Sequence, residues 1–165
     1  MMLFRYWFWI IAILSMTAIS SAIIAEYIFY LEPCSMCLKQ RHPYYFILII
    51  FIFFLVIHKF PRIWFYLGTQ LASGYGLFYS IWHVGIEQKI LSGPDSCSGS
   101  LNTSESVENL KEQIIGKAVI NCEDIVWVFF GISAATINTF LLLLIFIINS
   151  IYIQKYYASK KNTAT

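Results

Sequence analysis

The sequence predicts an all-α membrane protein, a bundle of four transmembrane helices with a long loop between the third and fourth helices. Apolar residue types make up 59% of the 165 residues and charged types only 12%, whereas a soluble domain averages about 25% charged residues. The apolar residues fall into four long runs, and no segment alternates as a transmembrane β-strand does. We therefore expect a single membrane domain over residues 1–165.

The composition also excludes several classes of protein. A soluble fold of this size cannot bury so much apolar surface, and a disordered chain would be far more polar. A soluble enzyme and a coiled coil are poor fits for the same reason. A net charge of +2 gives no indication of an anionic partner, so no nucleic acid is expected.

The first apolar run predicts an uncleaved transmembrane helix. Trp7–Ala25 contains 19 residues without a charge, enough at 1.5 Å per residue for a bilayer core of about 30 Å. Glu26 then interrupts a run that stays apolar to Leu31. Arg5 and several small residues would also suit a signal peptide, but the apolar core of a signal peptide usually has only about 7–15 residues.

Three further runs complete the predicted bundle. The second has 15 residues from Pro43 to Ile57, and it needs upstream residues to cross a membrane. Pro43 either opens this helix or kinks it. The third run has 20 uncharged residues and the fourth has 30, so the fourth overshoots the membrane. The predicted helices cover about residues 7–30, 40–58, 63–82 and 125–149.

Charges in the connectors predict the orientation. The N-terminus, the short connector 58–62 and the C-terminal tail are basic, and basic residues near helix ends favour the cytoplasm. The connector 83–124 carries seven acidic residues against three lysines. We therefore expect both termini in the cytoplasm, with the loops at about residues 31–42 and 83–124 outside. Residues 106–120 fit either a short amphipathic surface helix or a plain solvated segment.

The four cysteines lie in the two outer loops. Cys34 and Cys37 form a C-x-x-C pair in the first loop, and Cys97 and Cys122 lie in the second. C-x-x-C spacing closes a small reducible ring and often lowers one thiol pKa, more so beside a helix N-terminus or a cation. Arg41 follows Cys37 by four residues, which places both on one face of a helix. A stabilised thiolate is therefore predicted at Cys37.

The cysteines alone leave several interpretations open. Four cysteines allow three pairings, of which locality favours Cys34–Cys37 with Cys97–Cys122. Zinc would need four ligands, and His42 and His83 could contribute, but no second short cysteine pair is present and no metal is expected. A purely structural disulfide would explain the Cys97–Cys122 pair well, but it would explain the C-x-x-C pair poorly, because so small a ring restrains little of the chain. Two redox pairs on one face can instead pass electrons by thiol–disulfide exchange, for which a lipid-soluble quinone beside Arg41 is a suitable acceptor.

Several segments resemble the bacterial disulfide-bond formation protein B family. Pro33-Cys34-Ser35-Met36-Cys37 followed by Arg41-His42-Pro43-Tyr44-Tyr45 is similar to the first periplasmic loop of that family. The stretch from His83 to Gln88, with Gly93-Pro94-Asp95-Ser96-Cys97, resembles the approach to its third cysteine. Asn121-Cys122-Glu123-Asp124, with Trp127 and Phe130-Gly131-Ile132-Ser133, resembles the segment around its fourth. The four pieces occur in order over most of the chain.

The resemblance implies a protein-dithiol:quinone oxidoreductase of the bacterial inner membrane, with all four cysteines periplasmic and catalytic. Cys97 would form a mixed disulfide with a reduced, thioredoxin-like periplasmic thiol oxidase, and Cys122 would then attack Cys34. Cys37 would pass electrons to ubiquinone or menaquinone from the membrane pool. Arg41 and His83 would contribute to the quinone site.

Three other functions compete with this hypothesis. A reductase like those of the vitamin K epoxide reductase family would carry its C-x-x-C late in the chain, contrary to the order here. A tetraspan structural or assembly protein would use both disulfides only as braces. A metal-handling membrane protein would use the four sulfurs as ligands.

Overall fold

The computed structural model describes residues 2–57, 59–94, 97, 122, 128–129 and 131–163. Four long helices account for most of them: α1 (Met2–Tyr27), α2 (Ser35–Val56), α3 (Ile63–Glu87) and α4 (Ala134–Thr163). A two-stranded antiparallel hairpin of β1 (Val128–Phe129) and β2 (Ile132–Ser133) precedes α4. The prediction of four long helices is confirmed. Residues 106–120, which fit either a surface helix or a plain solvated segment, lie outside the described residues.

Three of these helices are long and apolar enough to cross a membrane, over Tyr6–Tyr27, Ser35–Val56 and Ala134–Asn162. The third helix, α3, has 25 residues and a length of about 37 Å, but buried polar side chains such as Thr69, Ser73 and Ser80 make it less apolar. Large apolar side chains are exposed along all four helices, which is the surface expected of a protein solvated by lipid.

Two predicted helix starts are wrong. The second helix begins at Ser35 rather than near residue 40, with Pro43 inside it, so Cys37 and Arg41 belong to α2 and not to a loop. The fourth helix begins at Ala134 rather than near residue 125. Gly131 adopts φ +81°, a left-handed conformation that suits glycine and favours the turn of the hairpin over a continuous helix.

Two helices also end later in the structure than the sequence predicts. The third helix continues beyond Trp82 to Glu87, which makes His83 and Glu87 helical residues. The fourth continues beyond residue 149 to Thr163, because a polar, lysine-bearing stretch can extend a helix past the apolar core. The outer connector therefore begins near residue 88 instead of residue 83.

Besides the buried cluster that contains the cysteines, two apolar clusters pack along the described part of the bundle. Near one end an aromatic cluster joins α1, α2 and α3, centred on Phe8, Phe51 and Phe65. Nearer the cysteines, α4 packs against α1 and α2 through Ile19, Tyr44, Leu142 and Ile145. The third helix lies against both α2 and α4.

Candidate functional site

The site is built around the first turn of α2. Cys34 is the N-cap residue of this helix, and its Sγ accepts a hydrogen bond of 3.2 Å from the backbone N–H of Cys37. A helix N-terminus leaves backbone N–H groups unpaired and carries a partial positive charge. The C-x-x-C spacing therefore does more than bring two sulfurs together, because it makes the first sulfur the cap of the helix.

Cys34 and Cys37 are free thiols with their sulfur atoms 2.9 Å apart. The Nε2 atom of His83, on α3, lies 3.6 Å from Cys34 Sγ. The hydrogen bond from the Cys37 side chain, opposed by burial and aided by His83, holds the pKa of the Cys34 thiol well below its ordinary value. The favoured thiolate is therefore Cys34, and the prediction of a stabilised thiolate at Cys37 is not supported.

The second cysteine pair lies directly against the first. Cys97 and Cys122 form a disulfide, as their locality predicts. The Ser35 hydroxyl lies 3.2 Å from Cys97 Sγ and 3.8 Å from Cys122 Sγ. Both disulfide residues are buried, at 1% and 0% exposure, in a cluster with Cys34. Cys97, to which the resemblance assigns the mixed disulfide with a partner, is therefore covered in this structure.

A chain of hydrogen bonds connects the thiols to the interior of the bundle. Gln40 Nε2 lies 2.8 Å from His83 Nδ1, and Gln40 Oε1 accepts from Asn138 Nδ2 at 3.1 Å. Asn138 also donates to Ser80 at 2.7 Å and accepts from the Tyr44 hydroxyl. With Gln40 donating to Nδ1, the neutral imidazole carries its proton on Nε2 and donates toward Cys34.

Arg41 lies on the same helix but directs its charge elsewhere. Its Nη1 atom forms an ion pair of 2.6 Å with Glu26 Oε2 at the end of α1. Its Nη2 atom lies 3.5 Å from the carbonyl oxygen of Ala22. The ion pair fixes the guanidinium against α1, one turn along α2 from Cys37.

A cavity of about 200 Å³ brings these groups together. One wall carries the functional side chains, namely Cys34, Cys37, Gln40, Arg41, His83 and Glu87. The opposite walls are formed by small apolar residues of α1 and α4, including Ala18, Ala22, Ala25, Ala134 and Ala135. The small side chains leave a slot, while the polar wall offers a cation and hydrogen-bond donors beside two sulfur atoms.

Sequence reasoning identified the cysteines, Arg41 and His83 but missed their supporting groups. Gln40, Asn138 and Glu26 belong to three different helices and carry no recognisable spacing. The one available signal for Glu26 was that its carboxylate interrupts the first apolar run. Glu87, in contrast, occupies a family-like position, and it accepts a hydrogen bond of 2.6 Å from Ser133. His42 is exposed, away from this cluster.

Comparison with known proteins supports a relationship over nearly the whole chain. The family model described as "Disulfide bond formation protein DsbB" matches residues 4–152. A protein of Rickettsia prowazekii (strain Madrid E), named "Uncharacterized protein RP370", is 28% identical over 132 residues, which cover 78% of this chain and 75% of the relative. No solved structure matches the chain.

Proposed function

The chain belongs to the disulfide bond formation protein DsbB family, and from this membership and the thiol geometry we propose that it is a membrane protein-dithiol:quinone oxidoreductase. Its substrate would be a reduced, thioredoxin-like thiol oxidase of the periplasm. Its electron acceptor would be ubiquinone or menaquinone. The protein would lie in the bacterial inner membrane, with α3 crossing it in addition to α1, α2 and α4. Both termini would be in the cytoplasm, and all four cysteines would be on the periplasmic side.

The observation that carries the proposal is the contact between the two cysteine pairs. The free pair and the disulfide belong to one buried cluster, with the Ser35 hydroxyl against both disulfide sulfurs. Thiol–disulfide exchange requires a thiolate to reach a disulfide sulfur. A pair of structural braces has no need of a free, helix-capping thiol beside a closed disulfide, whereas a relay does.

The relay proceeds by balanced exchanges. A partner thiolate attacks Cys97, forming a mixed disulfide and releasing Cys122 as a thiolate. With the first pair closed, Cys122 attacks Cys34 and releases Cys37. The second thiol of the partner then frees Cys97, which attacks Cys122 and releases Cys34. The net result is one partner disulfide formed and the Cys34–Cys37 disulfide reduced, by two electrons and two protons.

The residues around the cavity fit a quinone. A planar apolar ring suits the alanine-lined slot, and its carbonyl oxygens would lie near the Arg41 guanidinium and the His83 imidazole. When bound, a quinone accepts the two electrons and two protons of the reduced pair. Arg41 would bind and orient an oxygen atom, since a guanidinium stabilises developing negative charge. Cys37 lines this cavity deeper along α2 than Cys34, and we assign it the quinone-facing role.

The chain of hydrogen bonds behind His83 supports the thiol chemistry. With Gln40 donating to Nδ1, the Nε2–H group faces Cys34 and stabilises it as the leaving thiolate when Cys122 and Cys34 separate. Burial of this group away from water strengthens the interaction. His83 is therefore proposed to act on Cys34, in addition to lining the quinone cavity.

The proposal is tested by following oxidation of a purified, reduced thioredoxin-like thiol oxidase in proteoliposomes that contain the protein and a short-chain quinone. The unaltered protein should consume two thiols for each quinone reduced. Cys97→Ser and Cys37→Ser should each abolish this coupled turnover, because each removes an atom of the relay. Ser150→Ala, a helix serine far from the cysteines, serves as the matched control and should retain it.

Two results would contradict the proposal. If the unaltered protein consumed no thiols while the cysteine variants only lost stability, the disulfides would be braces. If Cys37→Ser kept full quinone reduction, the C-x-x-C pair would not lie on the electron path. A Cys122→Ser variant should also trap the partner on Cys97, which identifies the substrate by mass spectrometry.

A further inference from the structure

Three potential metal ligands converge at the start of α2. Cys34 Sγ, Cys37 Sγ and His83 Nε2 all lie within 4.8 Å of one another. We propose that the reduced Cys34–Cys37 pair binds a thiophilic divalent cation, Zn²⁺ in particular, with His83 as the third ligand, and that the bound ion blocks re-oxidation of the pair. Binding of the ion does not depend on the proposed function, whereas the block of re-oxidation rests on it.

The geometry is close to that of a tetrahedral zinc site. Zinc binds thiolate sulfur at about 2.3 Å and imidazole nitrogen at about 2.0–2.1 Å, so tetrahedral angles place S and N about 3.6 Å apart and two S atoms about 3.8 Å apart. The distance from Cys34 Sγ to His83 Nε2 is 3.6 Å. The two sulfurs, at 2.9 Å, need to separate by about 0.9 Å, which a small rotation of the Cys37 side chain supplies.

Charge balance favours a divalent ion at this position. Two thiolates and one Zn²⁺ form a neutral unit, so the complex avoids the cost of an unpaired charge in a buried site. Cys34 is only 3% exposed. The fourth coordination position faces the cavity, where a water molecule completes the tetrahedron. Glu87 lies on the same wall of the cavity and adds negative potential near the cation.

The hydrogen-bond chain behind His83 suits a metal ligand. Coordination through Nε2 requires the proton on Nδ1, and a ligating histidine usually donates that proton to an oxygen. At present Gln40 Nε2 lies 2.8 Å from His83 Nδ1. Rotation of the Gln40 amide by a half-turn presents Oε1 to Nδ1 instead. The Asn138 amide can reverse with it, because its partners Tyr44 and Ser80 are hydroxyls that both donate and accept.

Binding of the ion is tied to the redox state. Closing the Cys34–Cys37 disulfide consumes both thiolate ligands, so only the reduced pair has an affinity for zinc. Each thiol that is still protonated releases its proton when the ion binds. Because the ion stabilises the reduced form alone, the midpoint potential of the pair should rise by about 30 mV for each tenfold increase of free Zn²⁺ above its dissociation constant.

The test uses the full chain with Cys97→Ser and Cys122→Ser, so that the only thiols are Cys34 and Cys37. The protein is reduced with a phosphine in detergent, equilibrated with Zn²⁺, and separated from free ion, and the retained metal is quantified. We expect one equivalent on the reduced protein and none after the pair is oxidised. Cd²⁺ in place of Zn²⁺ should give a thiolate-to-metal absorption band under the same condition.

Variants of the histidines separate a site from adventitious binding. His83→Ala should weaken retention at least about tenfold, and Gln40→Leu, which removes the partner of Nδ1, by about tenfold. His42→Ala changes an exposed histidine of the same helix as Cys37 and should retain the ion as before. Far-ultraviolet circular dichroism confirms that each variant is folded.

Three results would overturn the proposal: no stoichiometric metal on the reduced protein, equal retention by the oxidised protein, or equal loss in His83→Ala and His42→Ala. A midpoint potential that does not move with Zn²⁺ would refute the redox coupling. None of these assays contains quinone or a partner protein. A failure here therefore leaves the proposed oxidoreductase intact, and a failure of that activity leaves the metal site intact.

Discussion

At the level of single residues, the two thiols of the C-x-x-C pair are not equivalent. Cys34 caps α2, accepts a hydrogen bond from the backbone N–H of Cys37 and lies 2.9 Å from the Cys37 sulfur, with His83 beside it. Cys37 lies one turn further along the chain and donates its backbone N–H to Cys34. In the proposed relay this asymmetry suits Cys34 to the role of leaving group, because the more stable thiolate leaves more readily.

This asymmetry predicts an acidic thiol in the reduced protein. In a metal-free Cys97→Ser/Cys122→Ser variant, ultraviolet absorbance should show one thiolate already present at neutral pH and lost only in acid. Cys37→Ala removes the largest stabilising contact of Cys34 and should raise its midpoint markedly, and His83→Ala should raise it less. Because the pKa of Cys34 is lower in the folded state, its contribution to stability is complete above the unfolded pKa and is lost as the pH falls through the folded pKa.

A titration with no thiolate at neutral pH would contradict the assignment of Cys34 as the stabilised sulfur. A midpoint unchanged by Cys37→Ala would contradict the stated cause. Ser73→Ala, in the middle of α3, is a suitable control because it changes a buried hydroxyl remote from the first turn of α2.

The charge of Arg41 is paired with a carboxylate rather than with a cysteine thiolate. The spacing to Cys37 suggests a direct partner for a thiolate, but Glu26 already neutralises the guanidinium at 2.6 Å. The two side chains are 14% and 27% exposed, so solvent screens the pair only partly. The ion pair holds Arg41 at the cavity wall, where its remaining N–H groups can bind an oxygen of a ligand.

At the level of elements, α3 organises the bundle through one close contact. A Cβ atom on Gly76 would lie 2.8 Å from Cγ of Pro43 on α2 and 2.9 Å from Cδ1 of Leu142 on α4. Small residues allow helices in membranes to approach closely. The contact joins the helix that carries the C-x-x-C pair to the helix that carries Asn138, directly behind the thiols.

Gly76→Ala should therefore destabilise the protein by about 1–3 kcal/mol through overpacking. Gly74→Ala on the same helix is the matched control, because its Cβ would meet only Phe146 at an ordinary 3.6 Å. The control should be neutral or slightly stabilising, since alanine is the better helix former. Thermal unfolding in detergent, followed by circular dichroism, distinguishes the two. Equal midpoints for both variants would show that the close contact is not limiting.

The sequence predicted the elements well and their supporting contacts poorly. Uncharged runs identified four helices because burial in lipid requires them, and the order of the cysteines indicated the chemistry. Helix starts were missed where one local interaction decides them, such as the sulfur cap of Cys34 or the turn at Gly131. The meeting of Gln40, His83 and Asn138 depends on how three helices pack, and no local spacing encodes that.

At the level of the whole molecule, the closed disulfide would control access to the proposed relay. Cys97 and Cys122 are buried against Cys34, whereas an attacking thiolate must approach a disulfide sulfur in line with the bond. In the proposed relay, docking of a partner would therefore have to expose Cys97.

The proposed relay also requires both outer connectors on one side of the membrane. In a variant without native cysteines, Glu32→Cys and Ser92→Cys each place a thiol at an exposed position in a different connector. Both should react with an impermeant maleimide added to intact cells from which the outer membrane has been removed. Lys59→Cys and Lys160→Cys, exposed at the opposite ends of the helices, should react only after the membrane is permeabilised.

These four positions test the topology as a set. If all four helices cross the membrane, two spans separate Glu32 from Ser92 and one span separates each of them from Lys59. Labelling in detergent should modify all four, which controls for local accessibility. If Glu32→Cys and Ser92→Cys reacted from opposite sides, α3 would not cross the membrane with α2, and the contact between Ser35 and the Cys97–Cys122 disulfide could not exist in the membrane. Labelling of both positions from the same side would agree with that contact. It would also agree with direct thiol–disulfide exchange between the two cysteine pairs.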